Sequence, residues 1–129
     1  MIEIINPVLW IRHIKKTDIT SLRNNDAGQA FLISAGHRTV PFSKGSATGS
    51  IQLNYTPAGK VWETQINAYL ESKPAEFEQG IFLVKLESGE TLIIGDLDFP
   101  AKGFINETLS QKSLEISHSS WHYPFMLAV

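Results

Sequence analysis

The chain has 129 residues, of which 43% are hydrophobic and 19% are charged, a balance typical of one folded domain rather than a disordered chain. Its formal net charge of −2 creates no strong field for binding nucleic acid or an acidic membrane surface. The lack of cysteine excludes disulfides, thiolate metal sites and a cysteine nucleophile. We therefore expect residues 1–129 to form a single β-rich domain without direct nucleic-acid or membrane partners.

The N-terminal segment has neither the basic start nor the long apolar stretch of a signal peptide, so we expect none. No apolar run approaches the ~20 residues that a membrane-spanning helix requires. Residues 8–14 alternate in a way that suits a half-buried strand, and residues 17–20 carry the capping pattern of a short helical turn.

Residues 41–50 are small, polar and glycine-bearing, with Phe42 as their one large apolar side chain. Such a segment buries too little surface to hold one conformation by itself. We predict a loop that is mobile in the isolated protein and contributes to subunit contacts, with Phe42 as anchor and Lys44 as polar contact. A passive surface loop is the alternative that the sequence leaves open.

Residues 51–56 and 62–70 alternate between apolar and polar positions, with a turn at 57–59 between them. The second run also fits a helix, since its apolar residues recur at helical spacing. We favour strands because the turn makes a hairpin natural. Residues 74–79 begin with proline and carry acidic residues early, which predicts one short helical turn.

Residues 80–100 contain two apolar runs around the turn 87–90, which indicates a β-hairpin. The second run has apolar groups on both faces, which is typical of a central strand covered on both sides. Residues 96–99 alternate again and predict another short strand. The predicted core consists of Trp62, Phe82, Val84, Leu92 and Ile94.

Residues 114–118 predict a final strand, and residues 119–129 an extended tail packed on the body. The fold class that follows is all-β and mostly antiparallel. It is either a sandwich or a partly open barrel, with at most one or two short helices.

The polar motifs of the sequence give little support for catalysis or metal binding. On a helix, His118 and His122 would place two imidazoles on one face for a metal, but their segment reads as extended. Asp96 and Asp98 provide fewer oxygen ligands than a calcium loop needs. We predict no catalytic residues, no cofactor and no metal site, and hence a protein that is not an enzyme.

Three tryptophans, Trp10, Trp62 and Trp121, would form a sugar-stacking platform if they shared one surface. Trp62 alternates with core positions, which argues against this arrangement. A monomeric β-sandwich module that binds a carbohydrate or other small ligand is therefore the alternative function.

The second half of the chain carries a pattern of turn glycines and core positions. In order, it reads Gly59-x-x-Trp62, Ile81-Phe82-Leu83-Val84, Gly89-x-x-Leu92-Ile93-Ile94-Gly95, Pro100 and the Ser/Pro-bearing stretch 119–124. This pattern resembles small virion proteins that phages and prophages of anaerobic gut bacteria encode in the tail or neck region.

The resemblance implies a non-enzymatic, assembly-forming structural protein without catalytic residues. Its expected partners are copies of itself and other virion proteins. Its expected location is the bacterial cytoplasm before assembly and a virion or tail-like particle afterwards. Oligomeric state separates this function from that of a monomeric carbohydrate-binding module.

Overall fold

A computed structural model describes residues 2–5, 8–25, 27–72 and 74–128. Within these residues the chain forms twelve strands and one 3₁₀ turn, Lys16–Asp18. No described helix is long and apolar enough to cross a membrane. The strands are β1 (Ile2–Ile5), β2 (Val8–Lys15), β3 (Ile19–Asn24), β4 (Gln29–Ser34), β5 (Arg38–Thr39), β6 (Thr48–Thr56), β7 (Gly59–Tyr69), β8 (Gly80–Leu86), β9 (Thr91–Ile94), β10 (Lys102–Glu107), β11 (Lys112–Ser120) and β12 (Phe125–Leu127).

The strands form two sheets that pack face to face as a sandwich and do not close into a barrel. The smaller sheet has five strands in the order β1-β6-β7-β11-β10, and all of its pairs are antiparallel. The larger sheet has seven strands in the order β3-β4-β12-β9-β8-β2-β5, with one parallel pair, β4 with β12. The predicted all-β, mostly antiparallel class is confirmed.

The main core lies between the sheets and is built from alternate residues of each strand. Phe82, Val84, Leu92 and Ile94 are all at most 1% exposed and belong to it. Trp62 is only partly buried and packs against this core. The structure therefore brings the five predicted core residues together, with Trp62 at the border.

A second apolar cluster lies on the opposite face of the larger sheet. Ile81, Leu83 and Ile93 point there from β8 and β9, and residues of the β3–β4 hairpin, including Leu22 and Leu32, pack on them. Every residue of β9 is buried as a result. The prediction of a central strand covered on both sides is confirmed.

Both predicted hairpins are present. β6 pairs along its whole length with β7 across the turn at 57–58, so the strand interpretation of residues 62–70 is correct and the helical one is not. β8 and β9 join through 87–90, where Gly89 adopts φ = 100° and its N–H donates to Leu86 O at 3.0 Å.

Two local predictions are wrong. Residues 74–79 are not helical, because Phe77 packs edge-on against Phe82 and long-range packing overrides local propensity. Residues 96–99 form a turn instead of a strand, since Asp96 Oδ1 accepts the N–H groups of Asp98 and Phe99 at 2.8 and 2.7 Å.

The tail and the early helical turn follow their predictions in outline. The tail is extended, but β12 inserts between β4 and β9 within the larger sheet instead of packing over it. The turn predicted at 17–20 is the 3₁₀ turn Lys16–Asp18, one residue earlier. Residue 129 of the predicted tail lies outside the described residues.

The segment 41–50 is shorter as a loop than the sequence predicts. Residues 48–50 already belong to β6, and Ser43 donates its N–H to Tyr69 O at 2.7 Å. Ser46 closes the turn by donating its hydroxyl to Ser43 O at 2.6 Å. Small polar residues here satisfy the backbone locally, which the composition alone does not reveal.

Candidate functional site

The free edges of the two sheets are the places where this fold exposes main-chain hydrogen-bonding groups. In the larger sheet, edge strand β5 has only two residues, and edge strand β3 has a register irregularity between Ile19 and Ser21. In the smaller sheet, β1 has four residues and β10 has six. Short strands and bulges discourage pairing with another chain, so β10 is the best-formed open edge.

β10 is regularly paired along one side. All six of its residues pair with β11 in one continuous register, from Lys102 with Ser117 to Glu107 with Lys112. No strand pairs with the other side of residues 102–107 within the described part of the chain. The outer side of this strand at residues 103–105 is therefore available for a further strand.

Two hydrogen bonds beyond the strand show which backbone groups point outward. Thr108 donates its N–H to Gln111 O at 2.8 Å, across the turn between β10 and β11. Ala101 donates its N–H to Gly80 O at 3.0 Å, on the side away from β11. Because these directions alternate along an antiparallel strand, the N–H and C=O groups of Gly103 and Ile105 face the open edge.

The side chains of β10 alternate as well. Phe104 is 54% exposed on the outer face of the sheet, and Ile105 packs partly against the main core. Gly103 lies so close to the core that a Cβ there would come within 2.7 Å of Phe82 Cζ. This close approach fixes β10 on the sandwich and leaves a large aromatic ring beside its open edge.

A groove of about 640 Å³ lies beside this edge. Its lining is Glu76, Phe77, Gly103, Phe104, Ile105, Asn106 and Glu115. Phe77 forms part of the groove wall, and its ring packs against Arg38 and His13. The Arg38 guanidinium carbon lies 4.1 Å from its ring centroid, and the His13 ring centroid is 5.1 Å away.

His13 anchors the segment that carries this wall. It is only 5% exposed, and its Nε2–H donates to Glu78 O at 2.8 Å. Burial lowers the pKa of His13, and the hydrogen bond to Glu78 opposes that effect only in part. Burial also lowers the pKa of the nearby Arg38 guanidinium. The segment 74–79 is thus tied to β2 through a neutral imidazole.

The outer face of the smaller sheet is a second notable surface. The strand registers place neutral amide and hydroxyl side chains in rows across it, with Tyr69 and Phe104 near one end. The row members include Thr48, Ser50, Gln65, Asn67, Asn106, Ser113 and Ser117. The same rows also carry Glu63, Glu115 and Lys102, so the many hydrogen-bond donors and acceptors of this face lie among a few charges.

The other residues singled out from the sequence do not form a common site. Trp10 packs against the second apolar cluster and Trp62 against the main core, while Trp121 is 62% exposed. The three-tryptophan platform is therefore not formed. His118 Nε2–H and His122 Nδ1–H donate to the backbone oxygens of Phe99 and Tyr123.

Neither Phe42 nor Lys44 of the predicted interaction loop lines the groove beside β10. Phe42 forms a backbone bridge with Leu70, and its side chain packs partly on the main core, so its ring already has contacts within the chain. Lys44 is exposed. Their contribution to subunit contacts stays a prediction. The described residues contain no group of three or more side chains suited to holding a metal ion.

Sequence reasoning missed Gly103, Phe104 and Ile105. Their strand alternates, but glycine occupies the first of its core-facing positions, so the apolar signal is weak. No family model matches the chain, and no curated protein and no solved structure matches it either. The function is therefore inferred from the surface of the chain itself.

Proposed function

We propose that this protein is a non-enzymatic structural subunit that self-associates through the open edge of β10. The observation that carries the proposal is this edge. It is a regular six-residue strand with outward backbone groups at Gly103 and Ile105 and an exposed aromatic ring at Phe104. Natural β-proteins usually blunt such an edge unless another chain covers it.

The chemistry of the edge suits strand addition. An added strand satisfies the outward N–H and C=O groups, and side-chain contacts with its neighbours provide specificity. The exposed ring of Phe104 contributes apolar area that association removes from water. A subunit of an assembly needs both of these properties on one surface.

The proposed setting is the tail or neck region of a phage- or prophage-derived particle, with other virion proteins as further partners. This part of the proposal rests on the sequence resemblance in residues 59–100 and 119–124. The genes that flank this one test it directly. Neighbours that encode tail, neck or head-completion proteins support the setting, and neighbours unrelated to phage particles contradict it.

Sedimentation velocity over a range of protein concentrations tests the assembly function. The wild-type chain is expected to shift to larger species as its concentration rises. Phe104→Lys places a charge at the edge and is expected to remain monomeric. The matched control is Tyr69→Lys, which changes a similarly exposed aromatic residue on interior strand β7 and should behave like the wild type. A wild-type chain that stays monomeric throughout contradicts the proposal.

A carbohydrate-binding module is the second candidate, and the polar outer face of the smaller sheet favours it. Rows of amide and hydroxyl groups match the hydrogen-bonding groups of a sugar, and Tyr69 offers a ring for stacking. Calorimetric titration with a panel of oligosaccharides tests it, with Asn67→Ala and Tyr69→Ala as variants. Heat of binding that both variants abolish supports this function, and no heat with any sugar in the panel contradicts it.

A further inference from the structure

The partner at the β10 edge can be specified from the geometry of the strand, given the proposed assembly function on which this inference rests. We propose that β10 of one copy pairs antiparallel with β10 of a second copy around a two-fold axis at Phe104. The two five-stranded sheets then continue into one sheet of ten strands. Phe104 lies opposite Phe104 of the second copy.

The hydrogen-bonding pattern favours this register. Gly103 and Ile105 have outward N–H and C=O groups, whereas Phe104 directs its own toward β11. With the axis at Phe104, Gly103 lies opposite Ile105 of the second copy, and the reverse pair follows by symmetry. Each of these pairs exchanges both N–H···O bonds, as hydrogen-bonded pairs of antiparallel strands do.

The side chains favour the same register. Phe104 is then in a non-hydrogen-bonded pair, in which opposed side chains approach most closely, and aromatic pairs at such positions stabilise antiparallel sheets. An axis at Gly103 would place Ile105, one of the two outward-facing residues of the pairing, opposite Ala101, whose N–H already bonds to Gly80 O. With the axis at Phe104, the residue opposite Ala101 is Glu107, so the pairing is confined to residues 102–106. An axis at Ile105 would place Phe104 opposite Asn106 and separate the two rings.

The charges and the space along the edge allow this pairing. Lys102 lies opposite the neutral Asn106 of the second copy, so no like charges oppose each other at these positions. A groove of about 640 Å³ lies along the same stretch of the edge and is lined by Gly103, Phe104, Ile105 and Asn106 among others. The interface consists of one short strand pair, so we expect weak association that a covalent bond can trap.

The cysteine-free sequence permits a direct test by single-cysteine crosslinking of the full chain under mild oxidation. In the proposed register, Phe104→Cys places two thiols in one directly opposed pair, with Cα atoms ~4.5 Å apart, which is within disulfide range. Positions 102 and 106, changed in Lys102→Cys and Asn106→Cys, lie on the same face of β10 as position 104. In the proposed dimer, however, each of them is ~14 Å from the equivalent position of the second copy. An equimolar mixture of these two variants brings their cysteines opposite each other.

We expect a disulfide-linked dimer from Phe104→Cys alone and from the mixture of Lys102→Cys with Asn106→Cys. Neither of the latter two variants should crosslink by itself. Crosslinking of Asn106→Cys alone at the level of Phe104→Cys overturns the register. Wild-type self-association in sedimentation without a Phe104→Cys crosslink overturns this pairing and leaves the assembly function standing, whereas a monomeric wild-type chain contradicts both.

Discussion

Phe82 connects the core of the sandwich to its open edge. Its side chain is fully buried, its ring contacts those of His13 and Phe77, and the missing Cβ of Gly103 makes room for it. The same ring therefore supports β8, β10 and the segment that forms the groove wall. Phe82 therefore helps to position the groove beside β10 without lining it.

Truncation of Phe82 to alanine should be among the most destabilising substitutions in the chain. The cavity it leaves predicts a loss of ~3–5 kcal/mol in the free energy of unfolding, measured by chemical denaturation. Phe31→Ala is the matched control, because Phe31 is 51% exposed and should change stability by only about 0.5 kcal/mol. An unchanged denaturation midpoint for Phe82→Ala would contradict this placement.

His13 makes stability depend on pH in a defined direction. Burial holds its folded-state pKa below the ordinary value of 6.5, so the unfolded chain binds a proton more readily than the folded one. The effect of His13 on stability should be absent well above pH 6.5, and it should lower stability as the pH drops from there toward the folded-state pKa. His118 adds to the same trend, since burial lowers its pKa as well.

Denaturation of the wild type and of His13→Gln at pH 7.5 and 5.5 measures this effect. The amide of glutamine can still donate a hydrogen bond but does not titrate. The variant should lose less stability between the two pH values than the wild type does, with His118 accounting for the remaining loss. Equal losses in both proteins would show that His13 is not the titrating group.

At the scale of elements, two tight hairpins organise the two sheets. The turn between β8 and β9 depends on Gly89, whose φ of 100° favours glycine. A Cβ at Gly89 or at Gly36 would meet nothing within 4 Å, but only Gly89 has a positive φ. A comparison of alanine substitutions at these two glycines therefore measures the effect of backbone strain without any contribution from steric crowding.

Gly89→Ala should lower the free energy of unfolding by ~1–2 kcal/mol, because alanine disfavours the left-handed region. Gly36→Ala should leave stability unchanged or raise it by up to about 1 kcal/mol, since alanine restricts the unfolded chain. Thermal or chemical denaturation of both variants checks this difference. Similar effects in the two variants would mean that the turn at 87–90 tolerates other conformations.

The elements that the sequence predicts well are those with local signals. Residues 80–94 combine apolar runs with a turn glycine, and the hairpin follows from these features alone. Residues 74–79 mislead because contacts of Phe77 and Glu78 with distant residues determine their conformation. The position of β12 inside the larger sheet also depends on long-range pairing, which periodicity does not encode.

At the scale of the whole molecule, alternation in several segments is enough to predict an antiparallel β-class, and the sandwich follows from two sheets that share one apolar interface. Which strands lie at the edges depends on the strand order, and no local pattern reveals it. Gly103, Phe104 and Ile105 acquire their significance only because β10 is the outermost strand of its sheet. The candidate site was therefore not predictable from the sequence.

The most direct test of edge-to-edge assembly is sedimentation of an equimolar mixture of Phe104→Lys and Phe104→Glu. Each variant alone places like charges opposite each other at the two-fold axis and should sediment as a monomer. The mixture should form a dimer, because lysine of one copy then faces glutamate of the other. A mixture that sediments as the two monomers do, while the wild type self-associates, would contradict pairing of β10 with β10 across Phe104.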